Sequence, residues 1–183
     1  MEKKDRSINL SVVIIVGIFS FVSVLWLFIV LMTKDLDIPH NIEIVTDILA
    51  VLIAYAYLVS GYTKGIANNY RTCMILSAIN ATAVAIVSTT ESMKGLPLAS
   101  CIVAIFLILA LAFIKNMGKI VSYIICGLLL FIRGNGLVSV LLTSALGIND
   151  PQIPMIISQI CLALTITVIT YAKYKDKASR GTN

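Results

Sequence analysis

Six long apolar stretches divide this chain, and their length decides what it can fold into. They run Ile8–Met32, Ile44–Tyr62, Tyr70–Thr90, Leu96–Ile114, Ile120–Leu146 and Ile153–Ala172, each bounded by charge, glycine or proline. A helix crosses the hydrocarbon layer with about 20 mostly apolar residues. Backbone groups in lipid must be bonded within their own segment, so helix is the expected form. The period-two alternation of a membrane barrel is absent from these stretches. The sequence therefore predicts an all-α fold: one polytopic membrane helix bundle over 1–183, with six transmembrane helices.

Composition agrees. Of 183 residues, 59% are hydrophobic and 13% are charged, against about 45–50% apolar in an ordinary soluble domain. A chain of this size has no water-soluble core large enough to take that excess. The net charge of +5 does not form a basic stripe with interleaved aromatics, so no nucleic-acid partner is expected. The partner implied first is the lipid bilayer.

Basic flanks orient the helices, because Lys and Arg are retained on the cytoplasmic side. Lys3, Lys4, Arg6, Lys64, Arg71, Lys115, Lys119, Lys173, Lys175, Lys177 and Arg180 fall on one set of flanks, and Lys34 and Lys94 on the other. Eleven against two predicts that both termini are cytoplasmic. Most acids (Asp35, Asp37, Glu43, Glu91 and Asp150) lie on the opposite side. Tyr62, Tyr70, Tyr123, Tyr171 and Tyr174 all fall near the predicted cytoplasmic ends, at the headgroup depth that tyrosine prefers. The basic start precedes an apolar run longer than a secretory h-region, with no small-x-small site after it, so it is read as an uncleaved first helix. By that criterion a plasma membrane, prokaryotic in kind, is the expected location.

Arg133 carries the most information. It lies in Phe131-Ile132-Arg133-Gly134-Asn135-Gly136 within the fifth apolar run, about 20 Å from either end at 1.5 Å per residue. An arginine at the centre of an inserted helix costs about 2.5–3.5 kcal/mol and normally faces a bundle interior or wet cavity. Two glycines and an asparagine weaken a helix, and the run is long, so a bend or break near Arg133 is expected, as in transporter helices that line substrate sites. Guanidinium geometry favours a carboxylate or phosphate. The competing reading is a staple between helices, with Asp47 or Glu91 as partner and the glycines serving close packing.

Asn80, Gln159, Asp47, Asn135 and Arg133 are the candidate substrate-binding residues, with Thr82, Ser88, Thr89 and Thr90 along the outer half of the third helix. Taken singly, Asn, Gln and Thr in such helices are more often interhelical hydrogen-bonding residues, each contributing under about 2 kcal/mol.

Other chemistry finds little support. Asp35, Asp37, His40 and Glu43 have types suited to a divalent cation, but no defined spacing, and His40 and Pro39 are read as part of a solvated loop over Thr33–Glu43. Cys73, Cys101, Cys126 and Cys161 form no CxxC pair and are read as small apolar packing residues. With no GxSxG, HExxH or nucleotide-binding motif, no enzyme and no cofactor are expected. In size and topology the chain is similar to the substrate-binding membrane subunits of vitamin-uptake transporters, which keeps transport among the functions. Two readings remain: a small-solute transport or solute-binding subunit, taking a small anionic solute at Arg133, and a non-catalytic accessory, immunity or assembly protein acting through helix contacts. Either allows other membrane subunits or a homo-oligomer as partners.

Overall fold

The computed structural model describes residues 8–36, 38–64, 70–90, 96–114, 117–143 and 152–180. Among them are six α-helices and no strand: α1 (Leu10–Thr33), α2 (Ile38–Lys64), α3 (Tyr70–Thr90), α4 (Leu96–Phe113), α5 (Lys119–Thr143) and α6 (Gln152–Arg180). Three are long and apolar enough to cross a membrane. These are α1 and the His40–Thr63 and Ile153–Lys175 portions of α2 and α6.

The helix starts follow local chemistry. Asn9 caps α1, its side chain accepting from the Ser11 amide at 3.2 Å, which satisfies one of the helix's unbonded first-turn donors. Pro39, Pro97 and Pro154 each stand in the first turn of α2, α4 and α6. The N–H that proline lacks has no partner in a first turn, and its fixed φ suits the helix. This corrects the expectation of a loop through Glu43. The second helix begins six residues earlier than apolarity alone suggests, and His40 and Glu43 are helical, with Glu43 buried. The side chain of Asn41 donates to the Leu36 carbonyl at 3.0 Å and holds that start.

A second correction concerns α5. The helix runs unbroken through Arg133, Gly134, Asn135 and Gly136. Gly and Asn each weaken a helix by no more than about 1 kcal/mol, whereas opening the ladder inside an apolar bundle would strand several backbone groups. A Cβ on Gly134 would meet nothing within 4 Å, so Gly134 does not serve close packing either. The sixth helix also continues past Ala172 to Arg180, carrying Lys173 and Lys175 on its last turns. The end of the expected fifth run, Ser144–Leu146, lies outside the described residues.

Sequence neighbours pack side by side, and α6 closes the ring against α1 while also reaching α2 and α3. As a result 67% of the apolar window of α6 is buried, against 22% for α1. The main core joins Val51, Leu58, Met74, Ile108, Leu129 and Ile166 from α2 to α6. On α1 the inward face is narrow and partly small, with Ser20, Ser23, Leu27 and Val30 buried. Gly17 admits the ring of Tyr55; a Cβ there would run into its hydroxyl, with Cζ at 2.8 Å. Large apolar side chains point outward on α1 to α5, among them Ile18, Phe21, Leu52, Ile79, Phe106 and Phe131.

Candidate functional site

The polar residues of the interior gather in one place, where α2, α3, α5 and α6 meet. Asp47 is the anchor. It is 2% exposed, on the face of α2 turned toward α3 and α6. Its Oδ1 accepts from Asn80 Nδ2 at 2.7 Å, and its Oδ2 lies 2.6 Å from Ser158 Oγ. Gln159, the next residue of α6, lines the space beside it, and Arg133 acts on Asp47 through its charge. A carboxyl without such partners would be costly in an apolar interior, so these residues select one another.

Beside this network is a small cavity lined by Ser77, Asn80, Arg133 and Gln159 among apolar walls that include Ile108, Leu129 and Ile166. Arg133 is half-buried there. Its Nη1 donates to Cys101 Sγ on α4 at 3.9 Å, a long contact to a weak acceptor. Among the described residues no carboxylate lies within ion-pairing distance of Arg133. The space open to the centre of a water molecule is about 10 Å³, close to what one water requires.

Four of the five candidate residues thus come together: Asp47, Asn80, Gln159 and Arg133. Asn135 does not join them. It is exposed, because two residues along a helix of 3.6 per turn point nearly oppositely. Thr82 bonds its own helix at the Ala78 carbonyl, 2.8 Å away. Glu91 and the side chains of Ser88, Thr89 and Thr90 lie outside the described residues. So does Asp37, and no group of three or more metal-ligating side chains occurs among the described residues.

Two members were missed in the sequence. Ser158 precedes Gln159 and reads as one more small residue in an apolar helix. Cys101 reads as packing, and all four cysteines are indeed free and buried, yet its sulfur is also the contact of Arg133. The signal for Ser158 was present: it lies on α6 one residue from a candidate already singled out.

A second polar layer lies at the other end of the bundle. Tyr174 OH donates to the Met117 carbonyl at 2.8 Å, so Ser122 Oγ, 2.6 Å away, donates to Tyr174. Tyr70 and Thr170 share a hydrogen bond of 3.2 Å. Tyr123 stacks on Tyr171, with ring centroids 6.3 Å apart, and meets Tyr174 edge-on. Lys173 Nζ stands 3.7 Å from the Tyr70 ring centre. The starts of α3 and α5 and the end of α6 therefore share one level, with Tyr and Lys together.

Comparison with protein-family models, curated proteins and solved structures gives no match.

Proposed function

We propose that the chain is a multi-pass integral membrane protein of a plasma membrane, crossing it six times with both termini cytoplasmic, and that it binds or transports a small solute whose anionic group is held by Arg133. Four things support the topology: the outward apolar side chains on α1 to α5, the basic flanks on one side, the level of Tyr and Lys at the matching helix ends, and the scarcity of large exposed apolar surfaces on soluble proteins. At 1.5 Å per residue, even α4, with 18 residues, is about 27 Å long, near the thickness of the hydrocarbon layer.

The observation that carries the solute reading is the placement of Arg133. A guanidinium lodged in an apolar bundle, bonded to a thiol and facing a polar cavity, has donors to spare for a carboxylate, phosphate or smaller anion. The chain carries no nucleotide-binding motif, so movement of the solute draws on an ion gradient or on partner subunits. Replacing Arg133 with leucine should abolish solute binding or uptake while the purified protein keeps its helix content. Full binding in that variant would remove the proposal. Labelling each tail from either side of intact cells tests the topology separately, with both tails reachable only from inside.

A second reading has its own support. The cavity is water-sized, and Asp47 is well bonded, as in an interhelical staple. A non-catalytic accessory protein, working through helix contacts with a partner, is what remains if Arg133→Leu leaves solute handling intact.

A further inference from the structure

We propose that the Arg133 cavity takes up a small monovalent inorganic anion, of about halide size, together with one proton held on Asp47. The proposal rests on the reading of Arg133 as an anion-binding residue, and adds to it the size of the anion and the co-bound proton.

Hydrogen-bond accounting supplies the proton. Ser158 Oγ lies 2.6 Å from Asp47 Oδ2 and 2.6 Å from the Met155 carbonyl. Both neighbours are acceptors when Asp47 is a carboxylate, and a hydroxyl has one proton to give. With a proton on Oδ2 every contact closes. Oδ2 donates to Ser158 Oγ, Ser158 donates to the Met155 carbonyl, and Asn80 Nδ2 donates to the remaining oxygen, Oδ1, at 2.7 Å.

Charge supplies the anion. The ionised Asp47 and Arg133 together are neutral. Once Asp47 holds a proton, the site has a net positive charge in a surrounding that penalises it. One anion at Arg133 restores neutrality, so proton and anion each favour the loading of the other. The wall suits an anion. Arg133, Gln159 and Asn80 line it and carry N–H donors, whereas Ser77 already donates to the Cys73 carbonyl at 2.9 Å. The remaining lining is apolar. A few convergent polar groups on an apolar wall are the usual make-up of a small-ligand site, and the water-sized space sets the scale of the ligand.

Among the described residues the charged and titratable groups around Asp47 are few. Arg133 on α5 acts on it. Glu43 and His40 lie one and two turns outward on α2 itself. α1 carries no ionisable side chain. α3 and α6 face it with Asn80, Ser158 and Gln159; Cys161, one turn inward on α6, points to the Phe19 carbonyl of α1 at 3.8 Å. Tyr70, Arg71, Cys73, Lys173, Tyr174 and Lys175 stand toward the opposite helix ends.

Titrating the purified full-length protein in detergent micelles with sodium chloride and sodium bromide, across about pH 5–9, tests this, with sulfate as an oversized control. Calorimetry in two buffers of different ionisation heat counts the protons. The expected result is halide binding that weakens about tenfold per pH unit above the titration of Asp47, with about one proton taken up per anion. Asp47→Asn, which keeps the shape and hydrogen bonds, should bind halide with no pH dependence and no proton uptake. Arg133→Gln should lose at least about tenfold in affinity at every pH. Equal helix content and elution volume confirm that the variants fold. Halide binding that depends on Arg133 but not on pH, with no proton uptake, overturns the co-bound proton and leaves the anion site standing. Sulfate or a larger anionic solute binding through Arg133 while halides do not overturns the size. Failure of every anion at every pH overturns the anion reading along with both.

Discussion

Asp47 and Tyr174 have similar hydrogen bonds in different places. Asp47 is met by Asn80 and Ser158 at 2.7 and 2.6 Å, and Tyr174 by Ser122 and the Met117 carbonyl at 2.6 and 2.8 Å. Asp47 is sealed in the bundle at 2% exposed. Tyr174 is half-buried, beside the half-buried Lys173 and the exposed Lys175. If a bond to Tyr174 is lost, water or a headgroup can replace it. If a bond to Asp47 is lost, neither bulk water nor a headgroup reaches it. Geometry alone does not rank these interactions; what can replace the lost partner does.

The comparison breaks first, if it breaks, at Asn80. Replacing Asn80 with leucine leaves Oδ1 of Asp47 without its partner in an apolar setting. A buried acceptor left unsatisfied costs about 1–3 kcal/mol, more when charged. We expect loss at the upper end of that range, read as a drop in reversible unfolding free energy in mixed micelles. Adding Asp47→Leu to Asn80→Leu should cost less than the two single effects summed, because the Asn80–Asp47 bond is lost only once. If the double variant is less stable than the unaltered protein by the full sum of the single effects, Asn80 and Asp47 are not coupled and this network does not hold Asp47.

The extent to which this arrangement was legible in the sequence follows from the same physics. Apolar length and basic flanks are carried by many residues at once, so helix number and element type could be read directly, and α3 begins and ends where apolarity predicts. Ends that depend on one residue were not legible. Pro39 reads as a loop residue until its place in a first turn is known, and Gly134 and Gly136 read as a break until the cost of an open ladder in an apolar bundle is weighed against them. In the site, types unusual in lipid stood out: Arg133, Asp47, Asn80 and Gln159. Ser158 did not, because serine is ordinary in membrane helices and its role exists only through a contact 111 residues away in sequence. Asn135 was drawn in by nearness in sequence, which a helix turns into opposite faces.

Tyr174→Phe sharpens the comparison at intermediate size. It removes one hydroxyl that links Ser122 to the Met117 carbonyl and leaves the ring contacts with Tyr123 intact. A hydrogen bond of this kind contributes about 0.5–1.5 kcal/mol net. We expect about 1 kcal/mol or less, and no additional loss from Ser122→Ala in the same chain, since the two hydroxyls act through one link. A loss as large as that of Asn80→Leu would mean that the end of the bundle is as sealed as its middle, and the distinction drawn from exposure would fail.

The smallest effect should come from Lys173. Its ammonium stands over the Tyr70 ring at 3.7 Å and near Tyr174 at 5.7 Å. A cation over a ring near an exposed surface contributes about 0.5–1 kcal/mol. Near anionic lipid each basic residue adds about 1 kcal/mol of attraction that salt screens within a Debye length. The two contributions separate by solvent. Lys173→Met, which keeps much of the stem, should lower stability in neutral micelles by about 1 kcal/mol. In vesicles containing phosphatidylserine the deficit should grow, and added salt should shrink it back to the micelle value. A deficit equal in both settings would assign Lys173 to contacts within the protein alone, and would remove one of the marks on which we propose that this end of the bundle lies at a charged membrane surface.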